Sequence, residues 1–88
     1  MSKATVTILY FAWMREHTGT AKEDLALPAD AATVGDLLPA VTQQSKGHAL
    51  ALNDMLAVRV AVNRVYGDLD TPIAAGDEIA FFPPVTGG

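Results

Sequence analysis

The sequence predicts an α+β roll, in which one main helix lies across one face of a mixed five-stranded sheet and an extended C-terminal tail follows. Three observations lead there. Segments of alternating or β-branched and aromatic residues recur at the start, middle and end of the chain. A single stretch, from Thr33 onward, carries an apolar stripe with helical spacing. The 88 residues, 50% of them hydrophobic, suffice for one core. A helix with one apolar stripe has to bury it against a sheet face.

The first strand is expected over Thr5 to Trp13. Val6, Ile8, Tyr10 and Ala12 give one apolar parity; the other, Thr5, Thr7, Leu9, Phe11 and Trp13, turns apolar only toward its end. That end should therefore cover something on both faces. After a connection at Gly19-Thr20, Lys22 to Leu27 reads as a second strand, with Leu25 and Leu27 inward and Asp24 and Ala26 outward. A short link makes the two strands a hairpin.

Thr33 caps the helix, and Asp36 places a favourable charge in the first turn. Val34, Leu37, Leu38 and Val41 form the buried stripe. Pro39 lies beyond the first turn, where proline costs about 3 kcal/mol, so a kink or an irregular first turn is expected. The helix should fade near Gln44 to Gly47. His48 to Met55 reads either as more helix or as a short extended piece.

Leu56 to Val62 is a third strand, in which Val58, Val60 and Val62 alternate with Ala57, Arg59 and Ala61. Asn63-Arg64 turns the chain into a brief fourth strand at Val65-Tyr66. Gly67 to Gly76 is loop, and Glu78 to Phe82 is the fifth strand. Pro83 and Pro84 stop it, because neither can donate to a ladder. The expected order is ββαββ, with residues 1–82 as the domain and 83–88 as the tail.

Composition narrows the function. Six Lys and Arg against ten Asp and Glu give a formal charge of −4, with the cations dispersed. Nucleic acid and anionic membrane surfaces are poor partners for such a chain. There is no cysteine, which excludes disulfides, thiolate metal sites and a persulfide on the chain's own side chains. His17 and His48, the only imidazoles, match no metal spacing and are expected as surface or loop residues. Asp68, Asp70 and Asp77 match no calcium loop, so no metal site is expected. The opening MSKATVTILYFAWM lacks a signal-peptide cleavage pattern, and no apolar run is long enough to span a bilayer. The expected location is the cytoplasm.

The segment FFPPVTGG, residues 81–88, carries the chemistry. From Pro83 to Gly88 it reaches at most about 20 Å when extended. The prolines stiffen its base, and the glycines leave a tip thin enough for a channel that admits only backbone. The group it presents is the α-carboxylate of Gly88. A carboxylate is a poor electrophile until a leaving group such as adenylate is attached; a sulfur donor then converts the acyl group into a thiocarboxylate. The alternative is a frayed, passive end.

FFPPVTGG, the GDEIAFFPPV run, the opening YFAWMREHTG, the helix entry TVGDLL and the strand segment VAVN together resemble the small, sulfur-carrying subunit of molybdopterin synthase. These matches fall in that family's order over nearly the whole chain; Pro39 is unusual for its helix. The resemblance implies a ubiquitin-like β-grasp fold. It implies that an adenylating (E1-like) enzyme activates Gly88 with ATP, that no cofactor stays bound, and that AMP is carried only transiently. The thiocarboxylate tail then enters the large subunit and donates sulfur to cyclic pyranopterin monophosphate, within an assembly of two small and two large subunits. The chain alone is not expected to catalyse anything.

By the same resemblance Gly87 keeps the tip narrow. Phe82, Pro83, Pro84, Val85 and Thr86 line the partner's groove, and Phe11 and Tyr66 supply an apolar docking patch. Phe82 reads equally as core, and Phe11 and Tyr66 could be buried. Other readings of the same segments are a sulfur carrier for thiazole or another metabolite, a protein modifier joined to lysines, and a plain interaction domain.

Overall fold

The computed structural model describes residues 4–54 and 57–84. Its elements are β1 (Thr5–Tyr10), α1 (Trp13–Thr18), β2 (Lys22–Ala26), α2 (Val34–Thr42), α3 (Lys46–Ala51), β3 (Arg59–Val62), β4 (Val65–Gly67) and β5 (Glu78–Phe82). The strands form one mixed sheet in the order β2-β1-β5-β3-β4. β1 and β5 are parallel neighbours at its centre, and every other pairing is antiparallel. The helices bury their apolar residues on one sheet face, and the whole is a β-grasp roll.

The first strand is shorter than expected. It ends at Tyr10, and Trp13 to Thr18 is helix rather than strand. Ala12 breaks the extended run with φ 53° and ψ −129°, a conformation that normally calls for glycine. Met14 then turns back into the core, where it is fully buried. Gly19, at φ 79°, ends α1 in the left-handed region and its N–H donates to the Arg15 carbonyl. Strands β1 and β2 pair antiparallel, as expected of a hairpin, but a helical turn rather than a short link joins them.

α2 begins where the sequence places it. The Thr33 hydroxyl accepts from the Asp36 N–H, and the Asp36 carboxylate accepts from the N–H groups of Ala32 and Thr33. Those backbone donors, Ala32 first, hold the Asp36 carboxyl below its usual range. Val34, Leu37 and Val41 are fully buried beneath the sheet. The helix runs through Pro39, whose ring is exposed and which offers no N–H to the preceding turn. It ends at Thr42, and His48 falls in a separate short helix, α3, capped by Ser45.

The third strand is expected from Leu56; residues 55–56 lie outside those described, and pairing begins at Arg59. β5 occupies the expected span, with Ile79 and Phe81 fully buried. It is flanked by β1 on one side and β3 on the other. The last strand is thus the most enclosed, and the chain leaves it directly into Pro83 and Pro84. Among the described residues no helix is long and apolar enough to cross a membrane.

Candidate functional site: the outer sheet face and the base of the tail

Strand alternation divides β5 between two faces. Ile79 and Phe81 point to the core, while Ala80 and Phe82 point away from the helices. Register aligns Leu9, Ala80, Ala61 and Tyr66 across four strands and places Arg59 opposite Phe82. The result is an apolar outer face at the end of the sheet where β5 stops. Phe11, Tyr66 and Phe82, with Ala61, Ala80 and Arg64, line an open, shallow depression there. The rings of Tyr66 and Phe82 lie 5.7 Å apart.

Exposure decides what this face is for. Tyr66 is 75% exposed and Phe11 48%, large values for aromatic side chains in so small a domain. Neighbouring exposed aromatics of this kind make this face the candidate for a protein contact surface. Phe82 is half-buried; it packs against the core and also lines the depression, so neither reading of it stands alone. Pro83 and Pro84 follow it, also half-buried. Val85, Thr86, Gly87 and Gly88 lie outside the described residues.

A second polar constellation sits under the sheet, away from this face, and was not foreseen. The expectation that His48 is a surface or loop residue is wrong; it is buried, at 7% exposure, between α3 and the sheet. Its Nε2 lies 2.8 Å from Glu23 Oε2, and its Nδ1 lies 2.8 Å from the Ser45 hydroxyl. Tyr10 donates its phenol proton to the same Glu23 oxygen at 2.6 Å, and the Gln44 side-chain amide donates at 3.1 Å. Glu23 is thereby tied to β1, to the α2–α3 link and to α3. His17, by contrast, is exposed as expected.

Burial alone pushes the Glu23 carboxyl up, but hydrogen bonds from Tyr10, His48 and Gln44 together outweigh it and hold the group below its ordinary 4.5. Burial first, then the Glu23 hydrogen bond and charge, push the Tyr10 phenol well up. Among the described residues no buried side-chain polar atom lacks a partner. A carboxylate so fully supplied with donors fastens elements together and is poorly placed to attack anything.

This arrangement has a pH consequence. A carboxyl whose pKa is depressed by folding stabilises the protein above its unfolded value, and that contribution is lost as pH falls below about 4.5 through the folded value. Replacing the carboxylate by an amide, Glu23→Gln, should cost roughly 1–3 kcal/mol at pH 7. The variant should also lose less stability than the wild type as the buffer is taken from pH 6 to pH 3. Urea midpoints measured across that range check both.

One sequence signal pointed to the network. Glu23 shares its strand parity with Leu25 and Leu27, the inward set, and an inward carboxylate must find donors. Asp68, Asp70 and Asp77 serve the turns they sit in: Asp68 accepts from the Asp70 N–H, and Asp77 from the Ala74 N–H. Among the described residues no cluster of His, Asp and Glu is arranged to hold a metal ion.

Similar proteins place the chain in a family. The profile of the ThiS family matches residues 8–88. The molybdopterin synthase sulfur carrier subunit of Escherichia coli (strain K12) is 46% identical over 85 residues, covering 94% of this chain and 99% of that protein. The structure of H. volcanii small archaeal modifier protein 1 superposes with a TM-score of 0.73 at 32% identity, covering 93% of this chain and 99% of that one. A further neighbour comes from the complex of subunits 1 and 2 of molybdopterin-converting factor from Helicobacter pylori 26695, with a TM-score of 0.61, 26% identity and coverage of 96% and 99%. The chain belongs to the ThiS family of ubiquitin-like sulfur carriers, together with the molybdopterin synthase sulfur carrier subunits.

Proposed function

We propose that the chain carries sulfur as a C-terminal thiocarboxylate on Gly88 and delivers it to cyclic pyranopterin monophosphate inside the large subunit of molybdopterin synthase. The observation that carries this reading is the placement of β5. A strand held on both sides runs straight into two prolines, beside an exposed aromatic face, and the tail motif begins there. The globule is then a handle: the outer face docks, and docking aims the tail. An arm of about 20 Å is long enough to enter a partner's active site without the domain following it.

The chemistry divides among proteins. The Gly88 carboxylate attacks the α-phosphate of ATP on an adenylating, E1-like enzyme, and pyrophosphate leaves. A sulfur nucleophile then displaces AMP from the acyl carbon and leaves a thiocarboxylate. No nucleotide stays on the chain. The thiocarboxylate sulfur bonds to a side-chain carbon of the pterin in the large subunit as that carbon's oxygen substituent leaves, and hydrolysis of the resulting thioester leaves the sulfur on the pterin and regenerates the Gly88 carboxylate. Gly87 and Gly88 keep the tip within the width of a bare backbone; Val85 and Thr86 line the groove behind them. Because each product needs two sulfur atoms, a complex of two small and two large subunits, in the cytoplasm where ATP is at hand, suits the reaction.

Intact-mass spectrometry tests this directly. After incubation with the activating enzyme, ATP and a sulfur source, the chain should gain about 16 Da, one oxygen replaced by sulfur at the acyl carbon. An unchanged mass under conditions that load the E. coli relative would defeat the reading. The likeness to a protein called a small archaeal modifier favours a second reading, in which the activated carboxyl is joined to lysines of other proteins. Lysine-linked adducts in a lysate, found in place of free carrier, would select it.

A further inference from the structure

We infer that Arg64 is a recognition residue, whose guanidinium meets a carboxylate on the partner subunit that covers the outer sheet face. The inference rests on the sulfur-carrier reading and adds the charge chemistry of its docking surface. It begins with the backbone. β3 and β4 are joined by a two-residue turn, Asn63-Arg64, with Val62 paired to Val65 across it. Both turn residues have positive φ, 52° at Asn63 and 71° at Arg64. Such hairpin turns favour Asn-Gly, because the second position strongly prefers a residue without Cβ.

Asn63 recovers its cost within the chain. Its side-chain amide donates to Asp77 at 3.0 Å, its side-chain oxygen accepts from the Glu78 N–H at 3.0 Å, and its own N–H donates to the Glu78 carbonyl at 2.8 Å. Arg64 does not. Among the described residues its one ion pair is with Glu78 at 3.8 Å, and the arginine side chain is 89% exposed. A long contact of that kind in open solvent contributes little. The side chain covers almost nothing, so packing does not compensate either.

What Arg64 does possess is position. It borders the same depression as Phe11, Tyr66 and Phe82. A strained backbone kept at the rim of an exposed aromatic face, with little return inside the molecule, is explained by a contact outside it. The chemistry of that contact follows from the group. A guanidinium is always charged and matches a carboxylate with two parallel N–H donors. The chain carries a net charge of −4, so a cation on this rim marks a point where an approaching surface must be acidic.

The test uses the full chain and the large subunit of molybdopterin synthase from the same organism. Arg64→Gly should do two opposite things. Relief of the turn should raise the melting temperature of the isolated chain by roughly 5 °C. Affinity for the large subunit should fall about three- to tenfold at low ionic strength, mostly in the association rate. The deficit should shrink in 1 M salt, where the screening length is about 3 Å. Arg64→Gln keeps the side-chain cost of the turn and removes the charge; it should bind as weakly as Arg64→Gly with no gain in melting temperature. Tyr66→Ala, as a control, should weaken binding at every salt concentration. If the wild type binds and both Arg64 variants bind equally well, the assignment of Arg64 is overturned and the carrier reading stands. If the wild type itself does not bind the large subunit, both fall.

Discussion

Deleting Gly88 should abolish sulfur transfer to the pterin while leaving the fold and its docking on the large subunit intact. In the mechanism proposed above the reacting carbon belongs to that residue, and no side chain can replace it, because the chain has no cysteine. Activation requires a carboxylate at the depth of the activating enzyme's nucleotide. Removing one residue withdraws that carboxylate by about 3.5 Å, far beyond the tolerance for in-line attack. Adding one residue beyond Gly88 should be as damaging, since it brings the wrong carbon to the site. Pterin product formed in a reconstituted synthase, compared with the melting curve of the same variant, separates loss of chemistry from loss of fold. Product formed at the wild-type rate by the shortened chain would remove Gly88 from the mechanism.

Gly47→Ala should be the most disruptive single methyl in the described structure. Gly47 lies in the first turn of α3, against the end of α1. A Cβ there would collide with the His17 carbonyl oxygen and lie 3.0 Å from its carbon. The obstacle is backbone, not the end of a flexible side chain, so the two helices have to move apart. They carry Met14, His48, Ala51 and Leu52 into the core, and the Glu23 network with them. Overpacking of this kind costs roughly 3 kcal/mol, a large share of the stability of a domain this size. The melting temperature should fall by about 10–20 °C. Thermal denaturation followed by circular dichroism measures it, and a shift of less than about 3 °C would show that the helices yield without cost.

How much of this was legible depended on range. α2 and β5 announced themselves because their signals are local. Thr33 and Asp36 form a capping box within four residues, and the EIAFF alternation is closed by two prolines. α1 was hidden for the opposite reason. Six residues are too few to show helical periodicity, and they follow a strand whose aromatic run continues into them. What ends β1 is the backbone conformation at Ala12, and alanine gives no hint of a positive φ. His48 failed as a long-range case: its burial depends on Glu23, 25 positions earlier in sequence, which the strand register sets opposite Ile8 and which bonds to Tyr10.

The tail reading came from residue types alone, because the chemistry proposed for it lies in main-chain groups; residues 85–88 lie outside those described, so it stands as a proposal. The exposed aromatic face was only half legible. Phe11, Tyr66 and Phe82 stood out as aromatics near turns or strand ends, but whether they faced the core or solvent turned on strand pairing. Arg64 was noticed only as part of a turn; its interest lies in a φ of 71°, which no residue type reports.

The parallel pairing of β1 with β5 also has a mechanical meaning. The start of β1 and the end of β5 lie at opposite ends of the pair. A pull between the tail and the start of β1 therefore acts along the strands and loads the bonds of this pair in shear, all at once. Had β1 run opposite to β5, a pull between the same two points would have opened the pair one bond at a time. If the tail works as proposed, drawing it back out of a partner's groove would pull against that whole set of bonds rather than against one of them.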